Sequence, residues 1–285
     1  MLLTESCWQA RRAAHEQRVD RWIAPHLERR RRGEAHPVED FLFVYYSHRP
    51  GQLRRWHPGF GTVLGGESAR AFLDRRGYVE TADGVTAIPE RPQTVAWIRD
   101  LLAATAGRTA FAGCFGLHEW AMVYRSDAVR HEAWPLRLGR TGTDRVVEAH
   151  RIRCSHHDAF RFFTPAASGR NALQPTRESQ RDLEQPGCLH ANMDLFKWAY
   201  KLTPLIPSEL VADCFALARE IRAVDMRASP YDLTSLGYEP IPIETPAGKS
   251  AYIEAQREFS QRAQILRTEL LGYADRAVST LEYSR

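Results

Sequence analysis

Three short stretches of this chain set ionisable side chains inside apolar runs. Cys114–Tyr124 carries His118 and Glu119, Cys154–Phe163 carries His156, His157 and Asp158, and Cys188–Trp198 carries His190 and Asp194. Burying such groups is costly unless they are paired, hydrogen-bonded or coordinated to an ion. The His190-x-x-x-Asp194 spacing is the sharpest of the three. Residues four apart share a helix face, with Cβ atoms about 5–6 Å apart, so the two side chains can reach one ion together. Lys197 projects from nearly the same face. Imidazole plus carboxylate, offered by helices around a core, is the donor set of non-heme iron and manganese sites. The plainer alternative is a local hydrogen bond at a helix start, with Asp194 paired to Lys197.

The other two stretches add to this reading. His118 reads either as a satisfied core histidine or as a ligand, whereas Glu119 is a carboxylate in an apolar helix and needs a partner. His156 or His157 can supply a further imidazole, and Asp158 can cap the next helix with Arg161 as its ion-pair partner. One shared site accounts for all three polar islands: His190, Asp194, Glu119, His156 and His118 as metal ligands, with Glu119, Asp194 and Lys197 as catalytic groups. Further along, Arg227 can grip a substrate carboxylate bidentately, or else pair with Asp232. Tyr45-Tyr46 and Trp56-His57 can line a pocket or stack on a planar ring. Arg227, Tyr45 and Asp232 are therefore the substrate-binding candidates.

Helical periodicity supplies the elements that would position these groups. Trp8 to Arg32 reads as an Arg/Glu-laced helix with apolar positions at Val19, Trp22, Ile23 and Leu27. Phe41 to Ser47 reads as a buried helix, ended by Arg49-Pro50-Gly51. Pro92 to Ala106 is amphipathic through Val95, Ile98, Leu101 and Leu102. Helices are also predicted over Leu189–Lys201, Pro207–Asp225 and Lys249–Val278. Gly77 to Pro92 reads as a loop with a short strand pair. Leu136–Gly139 and Asp144–Cys154 read as strands around an Arg140-Thr141-Gly142-Thr143 turn. The expected fold is mainly α, a large single-domain helical bundle over 1–285 with a small β-hairpin insertion, an Arg-rich N-terminal helix over 1–33 and a C-terminal helix over 249–285.

Composition narrows the class. The 285 residues are 44% hydrophobic, ordinary for a chain with a sizeable core. No run reaches the roughly 18 apolar residues of a membrane span, and Met1 to Arg11 has no signal-peptide pattern. Five scattered cysteines with no C-x-x-C spacing suit reduced thiols, so the expected location is cytoplasmic, with no membrane partner. The net charge of +4 is carried almost wholly by arginine. Its densest run, Arg29-Arg30-Arg31-Arg32, reads as a solvated helix end or a phosphate contact.

Two resemblances extend the reading. Asp40-Phe41-Leu42-Phe43, Leu53 to Gly59, His118 to Tyr124, His190 to Asp194 and Asp225 to Asp232 resemble an actinobacterial family commonly labelled 3-methyladenine DNA glycosylase, over nearly the whole chain. That label implies a DNA partner and a flipped alkylated base, with Glu119 or Asp194 activating water or stabilising an oxocarbenium-like transition state. The His190/Asp194 run is similar to the H-x-x-x-D-x-x-H run of the haem-oxygenase-like dimetal oxidases, with Lys197 standing where their last histidine would be. This second resemblance implies an all-helical fold, iron as cofactor, one ion or two, or manganese, and Glu39 and Glu119 as carboxylate ligands on earlier helices. The leading expectation is a non-heme iron oxidase or oxygenase acting with oxygen on a small molecule such as an amino acid. The alternative is a DNA glycosylase. The long terminal helices either cover the core or join two copies as a homodimer.

Overall fold

The computed structural model describes residues 1–126 and 133–283. It is mainly helical with one small sheet, as the periodicity predicts. Contacts group the chain into two compact units, each built from separate stretches of sequence. The first comprises Met1–Ala103, Leu195–Ala216 and Ile265–Arg285, and the second Ala104–Asp194 and Leu217–Gln264. No helix among the described residues is long and apolar enough to cross a membrane.

The first unit opens with β1 (Leu2–Leu3) and α1 (Glu5–Arg31). Trp8, His15, Val19, Ile23 and His26 form the buried stripe of α1 at helical spacing. Glu5 in its first turn and Arg29 to Arg31 in its last complement the helix dipole. The short helices α2 (Phe41–Tyr45) and α3 (Pro50–Arg54) follow. α2 is not buried all round: Leu42 and Tyr46 face inward, whereas Val44 is 78% exposed. A single turn of helix can hide only one side.

β2 (Val63–Leu64), β3 (Tyr78–Thr81) and β4 (Gly84–Ala87) complete a sheet of order β1-β2-β4-β3. Leu2 pairs in parallel with Val63, Leu64 pairs antiparallel with Val85, and Val79 with Thr86. The sheet packs its apolar face on Trp8, Trp56 and Phe72, and the Trp8 indole donates to the Gly65 carbonyl at 3.0 Å. The strand pair expected between Gly77 and Pro92 is therefore present.

Asp40 ties α1 to the segment after it. Its carboxylate accepts from His26 Nδ1 at 2.9 Å, from Arg29 Nε at 3.1 Å and from the His36 amide at 2.9 Å. Burial pushes the carboxyl up, but the hydrogen bonds from Arg29, His26 and His36 outweigh it and hold the pKa below the ordinary value. A depressed carboxyl pKa contributes stability that is present above the unfolded value and lost as pH falls through the folded one. Asp40→Asn is therefore expected to cost roughly 2–4 kcal/mol at neutral pH, with the gap closing in acid. Urea denaturation at pH 7 and below pH 4 checks this, and equal midpoints at pH 7 would refute the tie.

The chain continues through α4 (Pro92–Ala106) to the second unit's α5 (Leu117–Ala121), α6 (Gly139–Ala149), α7 (His157–Phe160), α8 (Pro165–Ser168) and α9 (Gln180–Leu183). Three long helices follow: α10 (Leu189–Lys201), α11 (Ser208–Arg227) and α12 (Pro246–Tyr283). α6 corrects the sequence reading, because it occupies the place of the expected hairpin at 136–154. Thr143, Val146 and Val147 are its buried residues, a spacing of three and four that is helical rather than alternating. The Thr143 hydroxyl donates back to the Gly139 carbonyl at 2.8 Å, and β-branched residues on one packed face cost a helix little.

Candidate metal centre

Two triads of ligand-type side chains lie within the second unit. One is His118, His190 and Asp225; the other is His156, Glu184 and Asp194. Within each triad one potential donor atom per residue lies within 4.8 Å of the others. The His190 ring adjoins both triads, with its centroid 4.3 Å from that of His118 and 5.3 Å from that of His156.

Local structure explains the first triad. Phe115 and Gly116 both take left-handed backbone angles, φ 48° and 66°, just before α5. This turn starts a helix whose five residues are all buried. His118 and Glu119, about 100° apart around its axis, reach different residues of α11. His118 Nε2 stands 3.2 Å from Asp225. Glu119 Oε1 stands 2.8 Å from Arg222 Nη1, which is also 3.5 Å from Asp225 Oδ2. Gly116 has room for a methyl group, since an added Cβ would sit 3.5 Å from the nearest atom. Gly116→Ala therefore pays only for its backbone angle, about 1–2 kcal/mol. An unchanged urea midpoint would show that this left-handed turn does not set α5.

The second triad draws on three segments. His156 directly precedes α7, Glu184 directly follows α9, and Asp194 lies on α10 one turn after His190. His156 Nε2 is 3.3 Å from Asp194 Oδ2 and 3.6 Å from Glu184 Oε1. All three residues are almost wholly buried.

The electrostatics set the first triad's residues in different charge states, and His118 must give up the proton that Asp225 favours before it can ligate an ion. Burial, reinforced by the neighbouring His118, holds His190 well below its ordinary pKa, so its imidazole is neutral. Burial also pulls His118 down, but the charge and hydrogen bond of Asp225 overcome it and raise the pKa. Burial would push Asp225 up, yet His118, then His190 and Arg222, hold it low as a carboxylate. Asp225 Oδ1 is buried and makes no hydrogen bond among the described residues. The His190 ring nitrogens make none either. These free lone pairs and the mixed imidazole and carboxylate donors fit a first-row transition ion. A cavity of about 20 Å3 borders the site, lined by His118, His190 and the thiols of Cys114, Cys154 and Cys188. It has room for one water-sized molecule.

Of the sequence candidates, His118, His156, His190 and Asp194 fall in the triads. The choice between His156 and His157 resolves to His156, and His157 stands 3.8 Å from Asp158. Asp158 pairs with Arg161 at 3.3 Å. Glu119 stands outside both triads, held by Arg222. Glu39 belongs to neither triad and lies in the first unit. Lys197 also belongs to the first unit, with its ammonium 4.8 Å from the Trp198 ring centroid. Tyr45 stacks on Phe41 at 5.0 Å. Arg227 Nε donates to the Glu239 carbonyl at 2.8 Å, and Asp232 accepts from the Thr234 amide at 3.0 Å. None of these three borders the cavity beside the triads.

Glu184, Asp225 and Arg222 escaped the sequence reading. Arg222 and Asp225 interrupt an apolar helix three residues apart, which is a usable signal for buried charge. Glu184 stands at the end of a four-residue helix with no periodicity to mark it. Comparison with family models, curated proteins and solved structures finds no match for this chain.

Proposed function

We propose that the protein is a metal-dependent oxidase or oxygenase whose second unit holds iron, with one ion at His118, His190 and Asp225 and another at His156, Glu184 and Asp194. The observation that carries this reading is the pair of buried triads with the His190 ring against a histidine of each. Three imidazoles and three carboxylates, with no thiolate in either triad, favour iron or manganese over a structural zinc site. Iron there would supply one-electron chemistry on oxygen. The small adjoining cavity admits a molecule of oxygen's size and excludes bulk water. Arg222 fixes Asp225 and Glu119 by charge, so the first triad's carboxylate is oriented before an ion arrives. The likeness of the His190/Asp194 run to dimetal oxidases points the same way.

Metal analysis of protein purified without chelator, and again after anaerobic loading with ferrous iron, tests the proposal. The expected result is up to two irons per chain and oxygen uptake on exposure to air. Protein that takes up no transition metal under either condition would remove the basis for an oxidase.

A further inference from the structure

The first unit contains a cavity of about 560 Å3 that the metal reading leaves unused, a volume typical of small-molecule sites. Four cationic side chains line it, Arg55, Arg76, Arg91 and Lys201, against one carboxylate, Glu90. Glu90 is committed to Arg76, at 2.6 Å. Arg55 and Arg91 have no ion-pair partner among the described residues, so their charge falls on the cavity.

One wall is aromatic and polar. The His48 ring lies over Tyr200, centroids 4.6 Å apart and planes within 14°. His48 is only 6% exposed, and its ring nitrogens make no hydrogen bond among the described residues. These nitrogens are not sealed from solvent, so a molecule in the cavity can hydrogen-bond to them. His57, also in the lining, is already satisfied by the Tyr78 hydroxyl at 2.8 Å. Burial, with the charge of Arg55, holds His48 down to about 4 and, with Arg75 and Arg55, holds His57 down to about 3. Both are uncharged at neutral pH, and the positive field comes from the arginines and Lys201.

We propose that this cavity binds a small organic phosphate, its phosphoryl oxygens held by Arg55, Arg91 and Lys201 and its organic body laid against His48 and Tyr200. An excess of three cations over carboxylates matches a multiply charged phosphate better than a lone carboxylate. Ile88 and Val95 supply apolar surface for the body.

Calorimetric titration of the full chain with AMP, inorganic pyrophosphate and citrate, near physiological ionic strength, tests this. AMP and pyrophosphate are expected to bind saturably at one site per chain. The exposed double variant Arg55→Ser/Arg91→Ser should weaken both by at least about tenfold, since each charged hydrogen bond lost is substantial. His48→Ala should weaken AMP and leave pyrophosphate nearly unchanged. Absence of saturable binding by AMP and pyrophosphate would overturn the assignment. So would binding indifferent to the double variant, or citrate binding more tightly than pyrophosphate.

Discussion

His190→Ala is expected to lose the ion of its own triad, about half of the iron taken up by the unaltered protein, while keeping its helical circular dichroism. Loss of a ligand-supporting group alone commonly costs 10–100-fold in affinity, and His190 is itself in a triad and in ring contact with a histidine of the other. The substitution is also clean. Burial keeps His190 neutral, so its removal strands no charge and leaves only a small cavity beside an existing one. Asp225→Ala would be a poorer test, because it also breaks the contact with Arg222 and confounds metal loss with unfolding. His150→Ala serves as the control. The His150 Nδ1–H donates to the Val146 carbonyl, at 2.6 Å, and the residue belongs to neither triad. Elemental analysis of the three proteins after identical ferrous loading decides the matter. Equal iron in His190→Ala and the unaltered chain would mean that the triad of His118, His190 and Asp225 is polar packing and not a metal site.

Much of the architecture is legible because long amphipathic stripes dominate it. The buried face of α1 follows from Val19 and Ile23, and the Pro92 to Ala106 helix from its apolar spacing. The α6 segment misleads because Thr141, Thr143, Val146 and Val147 carry strand propensity, while burial on one helical face decides the outcome. Within the site, His190 and Asp194 are each readable as buried polar residues of one helix, but they fall in different triads rather than converging on one ion. Their partners are not readable, since His118, His156, Glu184 and Asp225 reach the site through tertiary packing of separate segments. Glu119 illustrates the limit. A buried carboxylate needs a partner, and the sequence cannot say whether that partner is an ion or, as here, the guanidinium of Arg222. Glu39 is suggested by analogy with a motif and Lys197 by its helix face, and neither is in a triad.

Arg222→Met should be the most destabilising single substitution in the second unit, at roughly 3–5 kcal/mol. Arg222 is 1% exposed and sits between Glu119, at 2.8 Å, and Asp225, at 3.5 Å. Methionine fills much of the same volume, so packing is nearly conserved and the loss is electrostatic. Two carboxylates would then remain buried, with His118 beside Asp225 and, among the described residues, no second cation paired with Glu119. Two consequences separate this from a generic core defect. First, adding Glu119→Gln to Arg222→Met should restore part of the loss, because it removes the stranded charge. A double-mutant cycle would then give a coupling well outside additivity. Second, a divalent ion bound by Asp225 supplies positive charge where Arg222 did, so ferrous iron should raise the unfolding midpoint of Arg222→Met more than that of the unaltered protein. Thermal denaturation of the four cycle members, with and without ferrous iron under anaerobic conditions, measures both effects. Strict additivity across the cycle would show that Arg222 stabilises by packing alone. An iron-induced shift no larger in the variant than in the unaltered chain would show that no ion shares the charge of Asp225.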